Sequence, residues 1–264
     1  MPFPAVRRVL YRKNPLDRVI CQLRFPPILR IDAREPADFQ EDIRPSFPGF
    51  SQRNEGPFAI GPPGSPISEV LSPLIDQSGG KNFEFASEDD KWKINLTRTF
   101  MSLTSYEYRR WEEFLENLAI PYNALTKHYA PSYLSRIGLR YINTIKRSEL
   151  GLKDVPWSEL ISPTLAGVFA DHDVAGEAQK VEAVQEVRIN GALAQVRIRT
   201  QTMIPPHDNE VCFVVDSDLF VEENTELSDA FDQLAILNGE ASKLIQWAIS
   251  SRLHEAMEPE EVSW

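Results

Sequence analysis

At 264 residues, the chain is long enough to bury a sizeable core, as one large domain or two small ones. Apolar residues at 42% and charged residues at 25% are ordinary for a folded globular protein and exclude disorder as the main state. A net charge of −11 and a pI near 5.0 argue against general affinity for phosphate backbones, while leaving room for a local basic patch.

The opening segment, MPFPAVRRVLYRKNPLDRV, carries charge but no apolar signal-like region. No run anywhere approaches the ~18 apolar residues that span a bilayer. Cytoplasmic residence without a membrane partner is the expectation. In LDRVICQLRFPPILRI, Val19, Cys21, Leu23 and Phe25 alternate with Ile20, Gln22 and Arg24, the period of a half-buried strand. Asn14-Pro15 and Pro26-Pro27 punctuate its two ends. A short helix follows in EPADFQEDIRPSFPGF: Pro36 suits its first position, Phe39 and Ile43 share a face, and Pro45 stops it. From Pro45 to about residue 80, prolines and glycines, including GPPGSP, read as a long flexible loop, with an ordered arm laid over the surface as the alternative.

KNFEFASEDDKWKINLTRTFMSLT reads as two strands joined at Glu88-Asp89-Asp90. In the second, Ile94, Leu96, Arg98 and Phe100 alternate with Lys93, Asn95, Thr97 and Thr99. Trp111, Leu115, Leu118, Tyr122 and Leu125 recur at spacings of three and four, the pattern of an amphipathic helix. Pro121 inside it predicts a kink or break. SYLSRIGLRYINTIK returns to strand alternation. VPWSELISPTLAGVFA is a weakly helical connector, and AVQEVRINGALAQVRIRTQTM is a hairpin with Asn190-Gly191 near its turn. EVCFVVDSDLFV is a further strand. The last long helix runs through ELSDAFDQLAILNGEASKLIQWAISSRLHEAM, with an interruption expected at Asn238-Gly239.

The fold class these elements imply is α+β: a largely antiparallel sheet of about seven to nine strands with two long helices on one face. Leu-Ala-Ile recurs in both long helices, each after a hairpin, which suggests two related halves. The first, residues 1–150, would hold the N-terminal strand and the Pro-rich loop 45–80. The second, 151–264, would end in the long helix, and the two would form one compact unit.

NPLDRVICQLRFPPIL, RIGLRYIN and the VVDSDLF strand ahead of a C-terminal helix resemble a sporadically distributed bacterial family of similar length that has no assigned biochemical activity. The resemblance covers nearly the whole chain. It implies bacterial or phage origin, a self-contained protein and an accessory or defence-linked locus, and it carries no catalytic residues. Where that family has a Phe in its final helix, this chain has Trp247 or Leu244.

Chemistry-bearing clusters are sparse. Cys21 and Cys212 sit in apolar runs, where a free thiol packs as a small hydrophobe; two distant cysteines support neither a disulfide framework nor a zinc site. His128 and His254 fall near helix ends. Asp171-His172-Asp173 and His207-Asp208-Asn209-Glu210 look chemical, but neighbours in extended chain point to opposite sides, so solvated turns are expected. No metalloprotease, Cys-x-x-Cys, nucleophile-elbow or Walker pattern occurs, and no catalytic residue, cofactor or metal is expected.

The residues singled out for binding are Arg24, Arg98, Arg136, Arg140, Arg188, Arg197 and Arg199, with Asp216 and Asp218 as counter-charges and Trp264 as a contact at the tail. Lys93 shares the strand-polar pattern. Arg forks favour carboxylate and phosphate groups. Three functions are compatible: a non-enzymatic protein-binding or regulatory role, antitoxin- or immunity-like; nucleic-acid or nucleotide binding on an Arg-rich sheet face; and a metal-dependent nuclease built on Asp216 and Asp218 with a third ligand such as Glu222.

Overall fold

A computed structural model describes residues 2–54, 80–189, 194–205 and 208–262. Its centre is a nine-stranded antiparallel sheet accompanied by helices, a mixed α+β fold. In chain order the strands are β1 (Val9–Tyr11), β2 (Leu16–Arg24), β3 (Gly49–Asn54), β4 (Lys81–Ala86), β5 (Trp92–Leu96), β6 (Phe100–Ser105), β7 (Arg136–Ile145), β8 (Glu182–Ile189), β9 (Ala194–Met203), β10 (Cys212–Val221) and β11 (Pro259–Glu261). The large sheet has the order β3-β4-β5-β6-β2-β7-β10-β9-β8, and β1 and β11 form a second, two-stranded sheet. The helices are α1 (Leu29–Ala33), α2 (Ala37–Ile43), α3 (Trp111–His128), α4 (Pro163–Ala166), α5 (Ala230–Ala248) and α6 (Ser251–Ala256). Among the described residues, no helix is long and apolar enough to cross a membrane.

The chain divides into two compact units: Ile20–Ile137 with Glu223–Ala230, and Met1–Val19 with Gly138–Glu222 and Phe231–Trp264. In the first, alternation sends Phe83, Phe85, Ile94 and Leu96 into the core. Phe39 of α2 lies 5.5 Å from Phe85, and Phe114 of α3 lies 5.8 Å from Trp92. The predicted break at Pro121 does not occur; α3 runs through it. A proline costs an interior helix about 3 kcal/mol. Burial of Leu118, Pro121, Tyr122 and Leu125, together with the Tyr122 hydroxyl donating to the Leu227 carbonyl at 2.5 Å, holds the helix regardless. Phe114, which the periodic set omitted, is fully buried, and Leu115 is half-buried.

Three expectations for this unit need correction. Pro36 is the residue before α2 rather than its first position. The loop expected from residue 45 contains a strand: β3 pairs with β4, and Phe50 packs 5.4 Å from Phe85. Gly49 opens β3 where a Cβ would come within 3.2 Å of Ala86. The rest of the Pro-rich stretch, 55–79, lies outside the described residues. The continuous strand expected through Arg98 is instead two strands, because the Thr97 hydroxyl accepts the Thr99 and Phe100 N–H groups and folds residues 97–99 into a turn.

In the second unit, β8, β9 and β10 form a ladder whose register sets Asp216 opposite Arg199, Asp218 opposite Arg197, and Glu186 opposite Arg197 from the other side. The predicted hairpin is present, while its Asn190-Gly191 turn lies outside the described residues. Helix α5 passes unbroken through Asn238-Gly239, contrary to expectation. Asn238 is anchored there: its Oδ1 accepts from the Tyr141 hydroxyl at 2.8 Å, offsetting poor local helix propensity. The interruption falls instead at Ile249-Ser250. Ser162 N–H bonds the Ala248 carbonyl, Ser250 N–H bonds the Leu160 carbonyl, and Ser250 Oγ then caps α6 through Leu253 N–H. The β1–β11 pair joins a basic segment to an acidic one, with Arg12–Glu260 at 2.5 Å and Arg7–Glu261 at 2.7 Å.

Candidate functional site

The strand alternation that hides Phe213, Val215 and Leu219 places Asp216 and Asp218 on the opposite side of β10. Arg140, on β7, reaches Asp216 there: Nε and Nη2 donate to Oδ1 and Oδ2 at 2.7 and 2.5 Å, a fork-to-fork pair. Both side chains are buried, Arg140 at 2% and Asp216 at 4% exposure. On the other flank, Arg199 Nη1 stands 3.6 Å from Asp216 Oδ2, close enough for ion pairing but too long for a hydrogen bond. Asp218 is buried as well. Further out, Arg197 Nε donates to Glu186 Oε1 at 2.6 Å, and its guanidinium lies 5.9 Å from the Phe220 ring centre. Arg188 ends the row, exposed on β8.

The electrostatics follow from that order. Burial holds the Arg199 guanidinium below its usual range; Asp216 and Asp218 oppose the shift, whereas Arg140 and Arg197 add to it. Arg140 Nη1 and Arg199 Nη1 are buried without a hydrogen-bond partner. Such donors suit an anion, since an unmet charged donor is costly in a dry site.

The other named residues make contacts of their own. Arg136 is buried and donates from Nη1 to Gln22 Oε1 at 3.2 Å. Arg24 is half-buried at the end of β2, and its carbonyl accepts from Ser135 N–H. Lys93 lies 3.7 Å from Glu84. Arg98 belongs to the 97–99 turn, 3.7 Å from Asp32, so it is not on a strand face. Trp264 and His207 lie outside the described residues.

Metal chemistry finds little support. Both Asp216 oxygens accept from Arg140, and Glu222 is exposed. Among the described residues, no group of three His, Cys, Asp or Glu side chains has metal-binding geometry. His172 is exposed in a turn where Asp171 Oδ1 accepts from Asp173 N–H, and His254 Nδ1 is bonded to the Tyr11 hydroxyl at 2.8 Å. Asp208 and Glu210 clasp the segment after β7: Asp208 pairs with Lys146 at 2.6 Å and Glu210 accepts the Ser148 N–H. Cys21 and Cys212 are free and buried.

A cleft of about 300 Å³, bordered by Arg30, Arg34, Asp38, Lys127, His128 and Tyr129, had no signal in the sequence because its walls come from two distant segments. Its polar groups are largely occupied. Lys127 and His128 both bond Asp42 at 2.8 Å, and Arg30 lies over the Tyr129 ring at 5.2 Å. A scan of protein-family models and a search of curated proteins return no match to the chain.

Proposed function

We propose that this chain is a non-enzymatic binding or regulatory protein of a bacterial accessory system, acting through protein contacts. The family resemblance supports the setting. The carrying observation is the outer edge of β8, the end strand of the large sheet. It is eight residues long, with Glu182, Val184, Glu186 and Arg188 exposed in alternation and Val184 at 60% exposure. It lacks prolines and bulges, no described strand pairs with its outer side, and an unpaired edge readily takes up another strand. The carboxylates and guanidiniums deeper on the same side serve one another, which disfavours a reactive centre.

The reading is tested by recovering the tagged chain from its host and comparing it with Val184→Pro. Proline here removes one edge N–H. A partner whose recovery falls at least about fivefold in the variant is expected. Equal recovery, or no partner above background, overturns the reading.

Binding of a small anion or nucleotide is a second reading, favoured by the two unbonded guanidinium nitrogens of Arg140 and Arg199. It requires nucleotide or single-stranded oligonucleotide binding that is lost in Arg199→Ala. Nuclease chemistry is a weaker third, because Asp216 is already engaged by Arg140.

A further inference from the structure

Backbone geometry fixes which β8 groups turn away from β9. Thr202 N–H bonds the Val181 carbonyl at 3.0 Å, so 181 and 202 form a hydrogen-bonded pair, and the register continues through Glu182↔Gln201 and Ala183↔Thr200. In an antiparallel ladder bonded and non-bonded pairs alternate. Ala183, Gln185, Val187 and Ile189 therefore bond to β9, while Glu182, Val184, Glu186 and Arg188 turn N–H and C=O outward. An added antiparallel strand must align its own outward residues with these.

We infer that the strand occupying this edge is β8 of a second copy, which deepens the protein-contact reading above and rests on it. Charge selects the alignment. With the two-fold axis at Gln185, Glu182 lies opposite Arg188 of the other copy, and symmetry repeats the pair. Val184 then lies opposite Glu186, and about eight backbone hydrogen bonds close the ladder. Moving the axis to Val184 sets Glu182 against Glu186, and moving it to Glu186 sets that carboxylate against its own copy; like charges directly opposed destabilise a pair. An axis at Val187 also opposes Glu186 to Arg188 but shortens the ladder. Arg188 has no ion-pair partner among the described residues, so it is available. Glu182 holds only the exposed Lys180, at 2.7 Å, an exchangeable surface contact.

Sedimentation equilibrium of the full chain tests this. A monomer of 30.1 kDa should associate to about twice that mass in the micromolar range. Arg188→Glu or Glu182→Arg alone should weaken self-association at least about tenfold, since each opposes like charges twice. An equimolar mixture of the two single variants should recover it, as should the double variant. Val184→Pro should also give a monomer, because its N–H points away from β9 and the internal ladder is kept. A chain that stays monomeric at about 100 µM, or a dimer indifferent to all three substitutions, overturns the pairing of β8 with β8 of a second copy. If the chain is monomeric yet Val184→Pro still loses a host partner, only the choice of a second copy falls. If neither association depends on Val184, the edge reading falls with it.

Discussion

Asp216→Ala deletes the acceptor for Nε and Nη2 of Arg140 together with the carboxylate 3.6 Å from Arg199. Arg140 then stays buried at 2% exposure with one fewer anion, beside a second guanidinium. Truncating one partner of a buried ion pair costs about 3–5 kcal/mol, because the remaining charge is left without compensation. Arg140→Ala should fall at the lower end, near 3 kcal/mol, since Arg199 can still serve Asp216. Asp216→Ala should fall at the upper end, since it strands two cations. For a chain of this size, about 4 kcal/mol corresponds to roughly 8–15 °C in melting temperature. Urea unfolding followed by circular dichroism measures both variants. Replacing both residues with Ala should cost about 2 kcal/mol less than the two single losses added together, which is the signature of a coupled pair. A loss below about 1 kcal/mol for Asp216→Ala, or strict additivity in the double variant, would refute the assignment of this cluster as a structural interior network.

The two cysteines and one carboxylate carry further tests. Burial, together with Asp208 and Glu210, pushes the Cys212 thiol up to about 11, and burial raises Cys21 as well. Both thiols should resist Ellman's reagent at pH 8 in the native protein and react once it is unfolded; rapid native reaction of either would contradict their placement. Hydrogen bonds from Lys127 and then His128 hold the Asp42 carboxyl below its ordinary value of 3.8. A depressed folded-state value means the contribution is fully present above pH 3.8 and is lost as pH falls through the lower folded value. NMR titration should place Asp42 below that value, and Lys127→Ala should move it upward.

Local signals carried much of the fold. Period-two alternation was readable in β2, β7, β9 and β10, as was the helical spacing of Trp111, Leu118, Tyr122 and Leu125, because each depends on nearby residues alone. What escaped reading depends on distant partners. β1 and β11 are only three residues each, too short to show a period, and they become strands by pairing with each other across nearly the whole chain. β3 was masked by its proline-rich neighbourhood. Pro121 and Gly239 are helix breakers by propensity, and each is overridden by a tertiary anchor, the Tyr122–Leu227 and Tyr141–Asn238 bonds. The same division holds at the site. Alternation put Arg140, Arg197 and Arg199 with Asp216 and Asp218, but only register and lateral reach determine that Arg140 takes Asp216 while Arg197 turns to Glu186.

The charge balance separates the two kinds of protein contact. The ladder Arg140, Arg199 and Arg197 with Asp216, Asp218 and Glu186 is balanced within itself, so the net charge of −11 resides on the rest of the molecule. Two copies approaching through β8 therefore repel at long range, and only the Glu182–Arg188 contacts attract at short range. Salt screens the first effect over distances beyond about 8–10 Å while weakening exposed pairs less steeply. Self-association should consequently strengthen as salt rises from about 20 to 150 mM. A basic partner would show the opposite sign, its association slowing and weakening over the same range. Sedimentation at the two salt levels gives the direction directly, and a dimer that weakens steeply with added salt would contradict edge pairing between two acidic copies.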